Sequence, residues 1–192
     1  LEWAKNDVDT RINPSLALRE ALEAEPVHPK AYPFQSAGAR FMAASKHCLN
    51  SDPMGAGKSF QTIMAIKLLQ ESNGDALPAL IICPNSVKRS WKREVEHWWP
   101  CTPVCVVEGT AAKRSKTLKE QENQGIIIIN FEAVRLHSRL APYGSIALSE
   151  AEKTRKELNF IDWGTVVVDE GHRMADVKSK QTRAIQAIGQ GL

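Results

Sequence analysis

A glycine-rich stretch between residues 52 and 59 combines residue types that bind phosphate. It reads Asp52-Pro-Met-Gly-Ala-Gly-Lys-Ser59. Gly55 and Gly57 allow the backbone to turn tightly, so that the N–H groups of the turn, including that of Ala56, can face phosphate oxygens. A helix is predicted to follow, and its N-terminus favours negative charge. The stretch therefore predicts a phosphate-binding loop.

Two side chains at the end of this loop add a positive charge and a metal ligand. Lys58 would reach the terminal phosphates of a nucleotide, and the Ser59 hydroxyl would bind magnesium. The generic phosphate loop has a glycine where this chain has Asp52, so a purely structural glycine turn is the alternative interpretation.

A pair of carboxylates, Asp169 and Glu170, follows a run that ends in three valines. The run predicts a strand, which places both carboxylates at the mouth of a sheet. One carboxylate can hold a metal through water while the other orients or deprotonates an attacking water. An Asp-Glu pair after a strand is also typical of a solvated turn, but the phosphate loop upstream favours the catalytic interpretation.

The elements that would position these residues alternate between strands and helices. Buried strands are predicted at residues 48–51, 79–83, 104–107, 125–130 and 165–168. Helices are predicted at residues 14–23, around Phe41 and Met42 with both side chains inward, from Lys58 to about Asn73, over residues 87–98, in the basic segment before residue 125, and from Ser149 to about Leu158. This alternation predicts a doubly wound parallel α/β sheet with helices on both faces. Ligands of such sheets bind at the carboxyl ends of the strands, where both motifs fall.

The composition of the 192-residue chain, 43% hydrophobic and 24% charged, is typical of a soluble globular protein. The longest aliphatic run, residues 126–129, is far shorter than the roughly 18 residues that span a bilayer. No signal peptide opens the chain. We therefore expect an intracellular protein with no membrane partner, cytoplasmic in a bacterium or virus and nuclear in a eukaryote.

The net charge of +3 is too small to indicate a nucleic-acid partner by itself. Basic residues do cluster locally, and each cluster fits either a phosphate-facing surface or a solvated face. The clusters are Lys88, Arg89, Lys92 and Arg93, then Lys113, Arg114, Lys116 and Lys119, then Arg173, Lys178, Lys180 and Arg183. His97, Cys101 and Cys105 could suggest zinc, but no second cysteine pair matches them and free thiols are the expectation.

Three further stretches complete a series of motifs. Tyr32-Pro-Phe-Gln35 with Gly38 and Phe41 precedes the phosphate loop. Leu80-Ile-Ile-Cys-Pro84, followed by Trp91, and then Asn130-Phe131-Glu132 lie between the loop and Asp169-Glu-Gly-His172. Together with the loop, these motifs resemble, in order, those of the first RecA-like lobe of the Swi/Snf family of DNA translocases, within the superfamily two helicase-type ATPases. Pro53 and Gly171 depart from the family pattern, and Pro53 removes one backbone N–H from the loop.

The resemblance implies roles for particular residues. Gln35 would read the adenine edge of ATP, and His172 would couple nucleotide state to a second RecA-like lobe. Pro84, Lys88, Arg89 and Asn130 would lie against the backbone of double-stranded DNA. ATP and Mg²⁺ are the implied cofactors, with Ser59 and Asp169 as magnesium ligands and Lys58, Asp169 and Glu170 as the catalytic set.

The resemblance also implies a division of the chain. Residues 1–30 would be an N-terminal helical extension, and residues 31–192 the first RecA-like ATP-binding lobe. The chain ends near where the next motif of the family would begin, so the second lobe is expected to follow in the same protein. Three other functions stay open: a nucleotide-gated DNA-binding module without efficient turnover, a restriction-enzyme motor subunit, and an RNA helicase.

Overall fold

The computed structural model describes residues 24–45, 47–120, 125–141 and 148–189. By its internal contacts the chain divides into two compact units, residues 1–69 and residues 70–192. The helix predicted at residues 14–23 lies outside the described residues. The division into an extension and a single lobe that begins at residue 31 stays a prediction.

The first unit contains helix α1 (Pro33–Ala44) and the start of helix α2 (Lys58–Asn73), which continues into the second unit. Proline at the first helical position has the backbone angle that a helix needs, which explains where α1 begins. Phe41, predicted to point inward, is 62% exposed, and this prediction is wrong. The buried face of α1 holds Ser36 and Ala39, and Phe41 lies roughly 200° around the axis from Ala39.

The predicted first strand, residues 48–51, is also wrong, because no strand forms there in the described structure. Leu49 is 80% exposed in this segment. An extended segment becomes a strand only when its N–H and C=O groups pair with a neighbouring strand, and its apolar residues gain little without a covering layer.

The second unit is built on four parallel strands in the order β2-β3-β1-β4. The strands are β1 (Ala79–Cys83), β2 (Val104–Val106), β3 (Ile126–Asn130) and β4 (Thr165–Val168), within one residue of their predicted bounds. Strands β1 and β3 are buried, whereas the edge strands β2 and β4 are only half-buried.

Helices connect these strands. They are α3 (Lys88–Trp98), preceded by a 3-10 turn at Asn85–Val87, then α4 (Ala111–Glu120), α5 (Phe131–His137), α6 (Glu150–Lys153) and α7 (Lys180–Gly189), with further 3-10 turns at Glu157–Asn159 and Gly171–Met174. Helix α6 begins at the predicted capping box, where the Ser149 N–H donates to Glu152 Oε2 at 3.0 Å. It ends well before Leu158, since Thr154 is extended and its hydroxyl donates to the Glu150 carbonyl. Among the described residues, no helix is long and apolar enough to cross a bilayer.

Both faces of the sheet are covered, as the doubly wound prediction requires. Leu80 and Ile82 of β1 and Ile127 of β3 belong to a core cluster that includes residues of α4, α5 and α7. Ala79 and Ile81 point to the opposite face and are equally inaccessible to water. Because solvent reaches neither face of the central strands, only the ends of these strands can present polar side chains to a ligand.

The register of the strands brings three of those ends to one edge. Cys83 at the end of β1 lies opposite Asn130 at the end of β3, and Ile82 lies opposite Val168 at the end of β4. The Asp169 N–H continues the pairing by donating to the Ile82 carbonyl at 2.8 Å. This carboxyl edge therefore holds Asp169 together with Asn130.

We predict that Gly125→Ala destabilises the second unit more than Gly74→Ala does. Both glycines have positive φ, +61° and +77°, so alanine costs about 1–2 kcal/mol at either position from backbone strain. A Cβ at residue 125 would also lie 2.0 Å from the Pro103 carbonyl oxygen, whereas one at residue 74 would meet nothing within 4 Å. The added clash should lower the free energy of unfolding by a further about 1–3 kcal/mol. Urea denaturation followed by circular dichroism would measure both losses, and equal losses would contradict the clash.

Candidate functional site

The phosphate loop opens with a tight turn over residues 53–56. The Ala56 N–H donates to the Pro53 carbonyl at 3.3 Å, and Gly55, the third residue of this turn, has φ +84°. A type II turn requires a left-handed backbone at this position, which explains the glycine. Pro53, the departure from the family pattern, supplies the accepting carbonyl. The proline therefore removes its own N–H without preventing the turn.

Lys58 folds back over this turn from the first residue of α2. Its ammonium donates to the Asp52 carbonyl at 2.8 Å and to the Pro53 carbonyl at 3.0 Å. The N–H groups in the first turn of a helix, which here includes Ser59, have no partners within the helix and carry partial positive charge. The loop thus gathers an ammonium and a helix N-terminus, the combination that attracts a phosphate.

Gln61 is fully buried, and its side chain bonds to the phosphate loop. Its amide nitrogen donates to Asp52 Oδ2 at 2.9 Å and to the Ala56 carbonyl at 3.3 Å, while its oxygen accepts from Asn50 Nδ2 at 3.3 Å. Gly38 leaves room for it, because a Cβ there would lie 2.0 Å from Gln61 Oε1. No motif in the sequence marks Gln61 as a site residue. The only signal was an amide between the apolar residues of α2.

Gln35, the predicted adenine reader, lies against the same loop. Its oxygen accepts from the Tyr32 N–H at 3.1 Å, and its nitrogen donates to the Ala56 carbonyl at 3.1 Å. Residue 57 has to be glycine for two reasons. Its backbone is left-handed, with φ +78°, and a Cβ there would lie 2.4 Å from Gln35 Nε2. The first unit therefore brings Gln35 to the phosphate loop, and adenine reading stays a prediction.

The acidic pair lies in the second unit, directly after β4. Asp169 Oδ1 accepts from the Glu170 N–H at 2.9 Å, and Asp169 Oδ2 accepts from the indole Nε1 of Trp91 at 2.9 Å. The Glu170 N–H and the Trp91 indole therefore fix this carboxylate at the carboxyl edge. Burial raises the pKa of the neighbouring Cys83 thiol to about 12, and the charge of Asp169 acts in the same direction.

Glu170 has a left-handed backbone, with φ +56°. For a residue with a side chain this conformation costs about 1–2 kcal/mol, and such strain concentrates at functional sites. Its carboxylate Oε2 lies 3.2 Å from His172 Nδ1, and both side chains are exposed. The predicted role of His172 toward a second lobe stays a prediction.

The residues predicted to contact DNA differ in how accessible they are. Lys88 is 5% exposed, and its ammonium donates to the Val107 carbonyl at 3.1 Å and to Asn130 Oδ1 at 3.4 Å. The Arg89 side chain is 83% exposed, with Glu108 at 3.6 Å. Lys88 would have to give up both contacts to reach a phosphate, so the geometry favours Arg89. Pro84, half-buried, precedes the turn that leads into α3.

Asn130 also connects to the segment after the acidic pair. Its Nδ2 donates to Glu132 Oε2 at 2.6 Å, and Glu132 Oε1 lies 3.6 Å from the Arg173 guanidinium. That guanidinium stacks over the Phe131 ring at 4.6 Å. The bond from Asn130, and to a lesser degree the charge of Arg173, lower the pKa of Glu132. Polar contacts therefore link the ends of β3 and β4.

Each of the two motifs, taken by itself, offers an oxygen ligand of a kind that magnesium binds. Asp169 offers a carboxylate and Ser59 a hydroxyl, and Mg²⁺ prefers one or two such protein ligands completed by substrate phosphates and water. Among the described residues, no cluster of three or more His, Cys, Asp or Glu side chains could hold a metal ion. All four cysteines are free thiols, including the Cys101 and Cys105 of the zinc alternative.

Several curated proteins are similar in sequence. Protein CHROMATIN REMODELING 19 of Arabidopsis thaliana is 27% identical over 83% of this chain and 21% of its own length. The CHD3-type chromatin-remodeling factor PICKLE of the same plant is 30% identical over 91% of this chain and 13% of its own length. The RAD54-like DNA repair and recombination protein of Gallus gallus is 27% identical over 78% of this chain and 20% of its own length. The chain spans about a fifth or less of these relatives.

The solved structure of the Sulfolobus solfataricus SWI2/SNF2 ATPase core in complex with dsDNA is similar in fold, with a TM-score of 0.66 over 86% of this chain and 31% of that one. At 24% identity this likeness establishes the RecA-like α/β fold alone. The family model of the SNF2-related domain matches residues 34–190. Because this match includes both motifs and most of the chain, the chain belongs to the SNF2-related domain family.

Proposed function

We propose that this chain is the ATP-binding lobe of an ATP-dependent motor that moves along double-stranded DNA. The observation that carries the proposal is the phosphate loop, in which Lys58 lies at the start of a helix while Gln35 and Gln61 hold the Ala56 carbonyl. A structural glycine turn has no need of an ammonium folded over its carbonyls. Membership of the SNF2-related domain family supports the same function.

ATP would bind through the first unit. Gln35 would read the adenine edge, and the N–H groups of Gly55, Ala56 and Gly57 would bind phosphate oxygens, that of Ala56 by giving up its bond to the Pro53 carbonyl. Lys58 would exchange its two carbonyl partners for the terminal phosphates, because an ammonium binds an anion more strongly than a neutral carbonyl.

Hydrolysis would use the acidic pair of the second unit. Magnesium, when bound, would neutralise charge on the phosphates, with Ser59 and Asp169 among its ligands. Glu170 would orient and deprotonate the attacking water, and its exposed carboxylate leaves room for one. His172 would transmit nucleotide state to a second RecA-like lobe of the same protein.

Double-stranded DNA would lie along the carboxyl edge near the start of α3. A motor that ignores base sequence must hold phosphates, and Arg89 is the exposed cation next to Pro84. Asn130 borders the same edge. Relatives named as chromatin-remodeling factors favour duplex DNA over RNA and imply the nucleus in a eukaryote. A nucleotide-gated DNA-binding module is the second candidate, since Pro53 leaves the loop with one N–H fewer to hold phosphate.

The first test of the function is that Lys58→Ala weakens ATP binding by about tenfold or more, since charge-assisted bonds contribute about 1.5–3 kcal/mol. Titration with a fluorescent ATP analogue would measure the affinity. Lys67→Ala is the matched control, because it removes an equal charge from the same helix. Equal affinities for the Lys58→Ala variant and the unsubstituted chain would mean that the loop does not bind phosphate.

Duplex binding should depend steeply on salt and little on base sequence. Arg89→Ala should weaken binding uniformly across sequences and reduce the slope of log affinity against log salt by about 1, the value for one lost phosphate contact. Lys153→Ala, which removes an exposed cation from α6, should leave the slope unchanged. An affinity that stays constant between low and moderate salt would sink the backbone-contact hypothesis.

We predict that residues 1–192 alone hydrolyse ATP very slowly. Phosphoryl transfer gains about 10³–10⁵ in rate from an arginine finger, which the family resemblance places in the second lobe. A longer protein with both lobes should show DNA-stimulated phosphate release. In that protein Glu170→Gln should abolish release while sparing ATP binding, and Glu150→Gln, at an exposed residue of α6, should change neither. Rapid DNA-stimulated hydrolysis by residues 1–192 would refute the prediction that a second lobe must complete the catalytic site. A longer protein that binds ATP and DNA without hydrolysis would establish the gated module.

A further inference from the structure

Trp91 lies in the interior of the second unit, on α3, with 6% of its surface exposed. Its helical spacing with Val95 predicts an inward-facing, packed side chain. Its indole N–H, however, donates to Asp169 Oδ2 at 2.9 Å, across 78 residues of sequence. Water competes weakly for a buried donor, so this bond persists where an exposed one would be exchanged.

The bond completes the immobilisation of the Asp169 carboxylate. The backbone is fixed by the bond from the Asp169 N–H to the Ile82 carbonyl, and Oδ1 is bonded to the Glu170 N–H. Trp91 supplies the donor to the other oxygen and thereby sets the plane of the carboxylate. Each carboxylate oxygen accepts about two bonds, so both keep a lone pair for another ligand.

The chemical type of the donor matters as much as its position. An ammonium or guanidinium bonded to Asp169 would cancel the negative charge that attracts a divalent cation. An indole N–H is neutral and can only donate, so it orients the carboxylate, leaves its charge intact and cannot itself bind the metal. A carboxylate held by a neutral donor is the arrangement expected of a metal ligand with an outer-shell partner.

We propose that Trp91 is a positioning residue that orients Asp169 for magnesium bound with ATP. This inference rests on the proposed function, because it takes Asp169 as the magnesium ligand. Trp91 acts only through Asp169 and contacts neither nucleotide nor metal. The substitution Trp91→Phe separates positioning from packing, since it keeps a buried ring and removes the donor.

The test measures the affinity of the chain for a fluorescent ATP analogue with Mg²⁺ and with EDTA. Loss of an outer-shell partner lowers metal affinity by about 10-fold or more, so Trp91→Phe should reduce the Mg²⁺-dependent gain in affinity by about tenfold. Its affinity in EDTA should stay within about twofold of the unsubstituted value, because the phosphate loop is untouched. Trp98→Phe is the matched control. It removes an indole bond from the same helix, to Glu94 Oε2 at 2.7 Å, and should keep the full gain.

A Trp91→Phe variant with an undiminished Mg²⁺-dependent gain would overturn the positioning role and leave the proposed function standing. An unsubstituted chain that fails to bind the analogue would overturn both.

A second measurement does not depend on the folding of Trp91→Phe. In ¹⁵N-labelled protein, Asp169→Asn should shift the indole N–H resonance of Trp91 and leave that of Trp98 in place. A Trp91 resonance that does not move would show that the indole does not hold the carboxylate.

Discussion

Pairing of β1 on both of its sides is the constraint on which the second unit depends. Strand β1 bonds to β3 along one edge and to β4 along the other, in parallel and over most of its length. Parallel strands end together, so this pairing gathers residues that are far apart in sequence, among them Asn130 and Asp169. Covered faces leave the strand ends as the place where polar side chains can meet a ligand. The acidic pair owes its position to backbone hydrogen bonds that its own side chains do not make.

The phosphate loop is organised on a different principle, by short-range bonds from side chains to its backbone carbonyls. Gln35 and Gln61 both donate to the Ala56 carbonyl, and Lys58 binds carbonyls at the other end of the loop. Carbonyls held this way are fixed by their donors and cannot turn freely toward a bound phosphate. The amides carry no net charge, so the loop keeps the full positive field of Lys58 and of the helix terminus. The loop and the carboxyl edge each contain neutral donors that hold a site group in place, the two glutamines in the loop and the Trp91 indole at the edge.

The sequence predicted what is local and missed what is not. Continuous aliphatic runs correctly predicted β1 and β3, and the capping box at Ser149 correctly predicted the start of α6, because these signals are contained in neighbouring residues. The partners of Lys88 and Trp91 depend on which strands and helices meet, and no spacing along the chain records that. The inward position of Phe41 and the strand at residues 48–51 failed for a related reason. Apolar character alone does not say which face of an element another layer will cover.

The left-handed backbone of Glu170 costs the fold some stability, at a position where the proposed function needs a carboxylate. Glycine would adopt this conformation without strain and would make the turn after β4 easier to form. It would also delete the carboxylate. A chain under selection for folding alone would gain from glycine here, so the glutamate is evidence that the side chain is worth its conformational penalty. The same reasoning gives a criterion for related chains. A glycine at this position would mark a lobe that has given up turnover in favour of a more stable fold.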